Sequence, residues 1–153
     1  MKLSDYIKEN LIIPELKAKE KEDALRQMTH EISKEFPQID SEKLLGIVMD
    51  RESLSSTGIG SGIAIPHAKL EQFSEHIVAF AKSSEGVAFD SIDDKPVHLI
   101  FLIVGPTQAN ETHLKALARI SKFLHDTSFR EQLMMSKTRH EIYEVIIKKD
   151  DQY

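Results

Sequence analysis

The sequence predicts an α/β fold: one domain over residues 1–153, with helices on both faces of a single, largely parallel sheet of about five strands. Three observations carry this. Short apolar runs alternate along the chain with helical patterns of about 10–15 residues, the order that parallel crossovers need. The run VHLIFLIV, residues 97–104, is apolar at nearly every position and partly β-branched, as a central strand buried on both faces must be. A chain of 153 residues also buries about 68–70% of its unfolded surface, enough for a core without staples.

Residues 11–16 (LIIPEL) are short and apolar, and Pro14 inside them argues for an edge strand, where a missing N–H is tolerated. Residues 21–36 form a helix, because Ala24, Leu25, Met28, Ile32 and Phe36 recur at spacing three to four. Asp40 or Ser41 caps the next helix, residues 42–53, whose stripe is Leu44, Leu45, Val48 and Met49. A glycine-rich segment follows, then a short strand over residues 63–65 that stops at Pro66. Residues 77–82 and 87–89 are two further strand candidates, and Gly105-Pro106 ends the central one. Residues 112–124 are helical. Two short helices close the chain, announced by Ser128-Phe-Arg-Glu131 and Thr138-Arg-His-Glu141, both of capping-box form. The tail KKDDQY is polar and is expected to fray.

Composition narrows the chemistry. No cysteine is present, which excludes disulfides, thiolate nucleophiles and Cys-bound metals and fits a reducing compartment. The net charge is −5 with Lys and Arg scattered, so the clustered basic face of a nucleic-acid binder is missing. No apolar run approaches the roughly 20 residues of a membrane helix, and the N-terminus lacks a signal-peptide pattern. A soluble cytoplasmic protein without membrane insertion is expected.

In α/β folds, sites sit beyond the carboxyl ends of strands. Two places qualify: the turn after Ile65, carrying His67, and the turn after Val104, leading to His113. The segment Gly58-Ile-Gly60-Ser-Gly62 is not a nucleotide loop, since GxxxxGK[ST] is absent, Ile63 stands where GxGxxG needs glycine, and a strand follows instead of a helix. It is either an ordinary turn using positive φ or a bare backbone that lets a partner or a phosphoryl group approach. His67 is either an incidental loop residue or a functional one, aimed by Pro66. His113 shares a stripe with Leu117, Ile120 and Leu124 and so points inward, either as a satisfied buried histidine or as half of an anion site at a helix N-terminus. Arg51 either complements its helix dipole or forks a phosphoryl group. His30 and His140 each begin His-Glu but lack the second histidine of HExxH, and no GxSxG elbow is present. No metal and no cofactor is expected.

Taken together, DRESLSSTGIGSGIAIPHAKL (residues 50–70), GVAFDSIDDKPVHLIFLIVGP (86–106) and ETHLKALARISKFL (111–124) resemble enzyme IIA of the bacterial phosphoenolpyruvate-dependent phosphotransferase system. The likeness is to its fructose/mannitol type, and most of all to the nitrogen-regulatory branch. It spans essentially the whole chain. It implies a mixed, mostly parallel sheet with helices on both sides. It implies that His67 is phosphorylated at Nε2 by the phosphohistidine of HPr or its nitrogen-branch counterpart, with Arg51 and His113 supporting the phosphoryl group. Thr57 enters the site only through its place in the matching motif. The resemblance further implies a downstream partner: a regulated target protein or, in sugar-transporting members, a IIB domain. On this reading the glycines and Ala68 keep the approach to His67 open, and the helix over residues 42–53 neighbours the docking surface. A domain that keeps the fold only as an interaction module is the remaining alternative.

Overall fold

The computed structural model describes residues 1–108 and 110–153. After a 3-10 turn at Leu3–Asp5 the elements run β1 (Ile7–Ile13), α1 (Lys21–Glu35), α2 (Ser41–Leu54), β2 (Gly58–Gly60), β3 (Ile63–Ala64), β4 (His67–Leu70), β5 (Ile77–Val87), β6 (Val97–Pro106), α3 (Asn110–Leu124), α4 (Thr127–Met135) and α5 (Arg139–Asp151). The six strands form one mixed sheet in the order β1-β5-β6-β3-β2, with β4 also on β6. Three of its five pairings are parallel. The longest, β5 with β6, is antiparallel.

The central strand β6 is buried on both faces, as its unbroken apolar run requires. Ile100, Leu102 and Val104 face the cluster covered by α1 and α2. Leu99, Phe101 and Ile103 face the cluster covered by α3, α4 and α5. The α1 stripe Ala24, Leu25, Met28 and Ile32 is fully buried, as its spacing predicts. Asp40 caps α2, accepting from the backbone of Glu42 and Lys43.

Several boundaries move for physical reasons. Strand β1 begins at Ile7 and ends before Pro14, whose ring cannot continue the ladder; its edge position is as predicted. The two strands expected at 77–82 and 87–89 are one, β5, in which a register shift between Lys82 and Val87 absorbs the polar Ser-Ser-Glu-Gly stretch. Capping of α4 falls to Asp126, which accepts from Ser128, while Thr138 caps α5 and accepts from Glu141. The tail does not fray. Helix α5 runs to Asp151, and Lys149 and Asp150 are buried.

The glycine segment is a hairpin turn. Gly60, Ser61 and Gly62 all have positive φ, at 96°, 57° and 76°, where glycine carries no Cβ penalty. The turn also lies at the opposite end of β6 from His67. Gly62 accepts from His98 and Leu99, whereas His67 pairs with Ile103, about 13 Å further along at strand rise. Ala68 faces the α1/α2 core and is buried. Neither the glycines nor Ala68 opens the approach to His67.

Candidate functional site

Strands β3 and β4 lie along the same edge of β6, interrupted at Ile65-Pro66. Pro66 has no N–H to give, but its carbonyl accepts from Ile103 at 3.0 Å, so the chain stays on the sheet and restarts at once. His67 is therefore the first residue of a strand, near the carboxyl end of β6, and not a residue of a free turn. Alternation sends Ala68 and Leu70 into the α1/α2 core. His67 and Lys69 are left on the opposite face, towards α3.

The half-buried His67 ring has both nitrogens engaged. Arg51 Nε lies 3.2 Å from its Nε2, and the Ile65 carbonyl lies 3.2 Å from its Nδ1. A guanidinium only donates, so Nε2 carries the lone pair and Nδ1 the proton that the carbonyl accepts. Burial pushes the His67 pKa below the ordinary histidine value. The Ile65 hydrogen bond opposes this, the Arg51 charge adds to it, Glu52 opposes it and Lys69 adds to it. The result is a neutral ring with one aimed lone pair. Arg51 is held in turn by the Ser55 carbonyl, 2.9 Å from Nη1, just beyond the end of α2.

His113, in the first turn of α3, is 4% exposed. Its ring centroid stands 5.2 Å from that of His67, at 70° between planes. Among the described residues neither of its nitrogens has a hydrogen-bond partner. Burial first, then the charges of His67, Lys69 and His76, lower its pKa to about 4. The structure thus brings His67, Arg51 and His113 together, as their order in the sequence suggests.

Thr57 sits one step back. Its hydroxyl donates to Glu52 Oε2 and its backbone N–H to Glu52 Oε1 at 3.1 Å. Lys21 Nζ, from α1, completes the carboxylate at 3.1 Å. This buried cluster pins the end of α2, and with it Arg51, to the segment entering β2. Glu52 escapes a reading by motif. The signal is its spacing: it falls on the apolar stripe four and seven residues after Val48 and Leu45, where a carboxylate must be buried and hence paired. Lys69 and His76 were also missed. The alternation of HAKL places Lys69 on the His67 face.

A groove of about 830 Å³ adjoins the site beyond Lys69, lined by Ile39, Lys43, Ile47, Leu70 and Phe73 among others. Leu54, at the end of α2, and Leu114, next to His113, are 81% and 64% exposed. Among the described residues no group of three or more His, Asp or Glu is arranged to hold a metal ion, and no helix is long and apolar enough to cross a membrane. The site offers one neutral imidazole lone pair, an arginine N–H on it, a second neutral imidazole and a lysine on the same face. That set suits transient covalent capture of an anionic group.

Residues 5–149 match the family described as phosphoenolpyruvate-dependent sugar phosphotransferase system, EIIA 2. The chain is 37% identical over 150 residues to a PTS system fructose-specific EIIABC component of Bacillus subtilis; the match covers 98% of this chain and spans 24% of that protein. It is 34% identical over 146 residues to a nitrogen regulatory protein of Bradyrhizobium diazoefficiens, covering 95% of each. Its fold superimposes on the crystal structure of nitrogen regulatory protein IIA-Ntr from Neisseria meningitidis with a TM-score of 0.88 and 27% identity, over 94% of this chain and 98% of that one.

Proposed function

This chain belongs to the EIIA 2 family of the phosphoenolpyruvate-dependent sugar phosphotransferase system, and from that premise we propose that it is a nitrogen-type phosphocarrier whose His67 takes a phosphoryl group from phospho-HPr or its nitrogen-branch counterpart. The observation that carries this is the pair of hydrogen bonds on His67. With the proton kept at Nδ1 by Ile65, Nε2 is the nucleophile, and Arg51 already stands at that atom.

Phosphoryl transfer between histidines proceeds through a loose transition state, so positioning and charge stabilisation do most of the work. The Nε2 lone pair forms the new N–P bond as the donor's N–P bond breaks, and that electron pair returns to the donor nitrogen. Arg51 moves from the lone pair to the phosphoryl oxygens, where its fork fits. His113, neutral and buried, supplies a further N–H. Thr57 acts through Glu52 to hold Arg51 in place. No cofactor or metal enters this scheme. The reaction takes place in the cytoplasm. The donor docks over the face bounded by α2, where Leu54 and the groove beyond Lys69 leave apolar surface exposed beside the site.

The test is incubation with enzyme I, HPr and phosphoenolpyruvate. We expect an acid-labile mass gain of one phosphoryl group that disappears in His67→Ala; an adduct that survives this substitution would sink the assignment. The output is a partner protein bound in one phosphorylation state only. A second reading, delivery of the phosphoryl group to a separate fructose- or mannitol-type IIB, draws on the 37% identity to the fructose-specific protein. Phosphate appearing on a IIB cysteine would favour it.

A further inference from the structure

One row beyond His67, the sheet is built around a missing side chain. Lys69 pairs with Gly105 across β4 and β6. The antiparallel register of Ile77 with Val104 carries His76 to the other flank of Gly105. Alternation points this row the same way as His67, Ile103 and Val78, towards the face that α3 covers. A Cβ on Gly105 would stand 2.8 Å from Cδ2 and 3.0 Å from Nε2 of His76, so the His76 ring occupies space that any side chain at 105 would fill. Tyr6 meets the ring at 5.6 Å and 62° and limits its freedom further.

Among the described residues three buried ring nitrogens in this neighbourhood have no hydrogen-bond partner: Nε2 of His76 and both nitrogens of His113. Buried polar atoms left unpaired are rare, because each has given up water for nothing. A neutral imidazole carries one N–H and one lone pair, and a hydrogen bond at one nitrogen decides the role of the other. His67 has such a partner in Ile65. His113 has none among the described residues. Among the described residues the charged and titratable groups about it are His67 and Lys69 from β4 and His76 just before β5.

We propose that His76 is a positioning residue of the phosphoryl site, acting through His113: once His67 is phosphorylated, His76 Nε2–H donates to one His113 nitrogen and so fixes the other as the N–H that a phosphoryl oxygen accepts. This rests on the carrier reading above. What is set is the choice of nitrogen that carries the His113 N–H, as an outer partner sets the tautomer of a metal-bound histidine.

The test uses protein labelled with ¹⁵N at histidine and phosphorylated in two ways: by enzyme I, HPr and phosphoenolpyruvate, and by phosphoramidate, a small donor that needs no partner protein. Long-range ¹H–¹⁵N spectra read the His113 tautomer, and loss of the adduct with time reads its lifetime. We expect phosphorylation to settle His113 into one tautomer. His76→Leu should leave it averaged between two and shorten the adduct lifetime by about tenfold, the worth of one hydrogen bond of this kind. His76→Gln, whose amide N–H reaches the same place, should restore both. Gly105→Ala should reproduce His76→Leu with the histidine present, since its methyl group displaces the ring; it also guards against a variant that fails through misfolding. An adduct on His67 with tautomer and lifetime unchanged in both His76→Leu and Gly105→Ala overturns this proposal alone. No adduct on the unaltered protein from either donor overturns the carrier reading and this proposal together.

Discussion

Arg51 Nε donates to His67 Nε2 across 3.2 Å, so in the resting protein the arginine covers the lone pair proposed to attack phosphorus. One group thus holds the nucleophile in register and stands ready for the charge that arrives. Arg51→Ala removes both roles without touching the core. We expect transfer from phospho-HPr to slow by about 10²-fold, in line with the loss of one preorganised donor, while the melting temperature stays close to that of the unaltered protein. Arg51→Lys should recover little, because an ammonium cannot fork. A collapse of thermal stability in Arg51→Ala would show that the arginine serves the helix end instead.

Glu52 predicts the opposite pattern. Its carboxylate is buried and accepts from Thr57 twice and from Lys21. Glu52→Ala strands the Lys21 ammonium and the Thr57 N–H, and breaking a buried pair from one side costs about 3–5 kcal/mol. Thr57→Val removes only the hydroxyl bond and should cost about 1–2 kcal/mol. Chemical denaturation measures both. Transfer rates in Thr57→Val should fall by less than in Arg51→Ala, because Thr57 acts at one remove. A larger loss of rate than of stability would place its hydroxyl on the phosphoryl group itself.

Acid should affect the two site histidines differently. His67 attacks only when Nε2 is unprotonated, and burial, with Arg51 and Lys69 outweighing Ile65 and Glu52, keeps its pKa below the ordinary value. The initial phosphorylation rate should therefore be flat above pH 7 and fall only at a midpoint below about 6.5. For His113 the linkage concerns stability. Its folded pKa is about 4, against about 6.5 unfolded, so between those values the unfolded chain binds more protons. The stability tied to its neutral form is complete above pH 6.5 and is lost as pH falls towards 4. Melting temperatures across that window should drop in the unaltered protein and drop less steeply in His113→Gln.

The parts of this site legible in the sequence were those whose position follows from local periodicity. The spacing of His113, Leu117, Ile120 and Leu124 sets His113 inward whatever surrounds it, and Asp40 before an apolar stripe marks a helix start on local chemistry alone. What stayed hidden depends on which strands become neighbours. Glycines five to nine residues before His67 read as part of its loop, but a strand runs between them and carries them to the far end of β6. His76 is nine residues from His67 in sequence and packs against Gly105, on the His67 face of the sheet, only because β5 and β6 pair antiparallel. Asp150 looks like an ordinary solvated helix residue until its partners arrive from distant segments.

Asp150 carries the last prediction. Its carboxylate, fully buried, accepts from the backbone N–H groups of Leu3 and Ser4, each at 3.0 Å, and from Arg119 Nε at 2.8 Å. Its own carbonyl accepts from Lys2 Nζ at 2.7 Å and Arg119 Nη2 at 2.8 Å. One residue therefore ties the N-terminal turn, α3 and α5 together, which is why a polar tail is ordered. Burial alone would raise the carboxyl pKa, but the bonds from Ser4, Arg119 and Leu3 outweigh it and hold the value below the usual aspartate range. A carboxylate depressed in this way stabilises the fold above its unfolded pKa of about 3.9, and that contribution is lost as pH falls through the lower folded value. Asp150→Ala leaves Arg119 and two N–H groups without their acceptor and should cost about 3–5 kcal/mol near neutrality. Amide exchange should quicken at Leu3 and Ser4 well before the sheet opens. Asp150→Asn keeps one acceptor oxygen and should lose less. Its stability relative to the unaltered protein should recover in strong acid, where the native carboxyl is protonated too. Because the clasp lies among the termini and away from His67, phosphorylation rates well below the melting temperature should be unchanged in Asp150→Asn; a matching loss of transfer would mean that the clasp holds α3, and through it His113, in place.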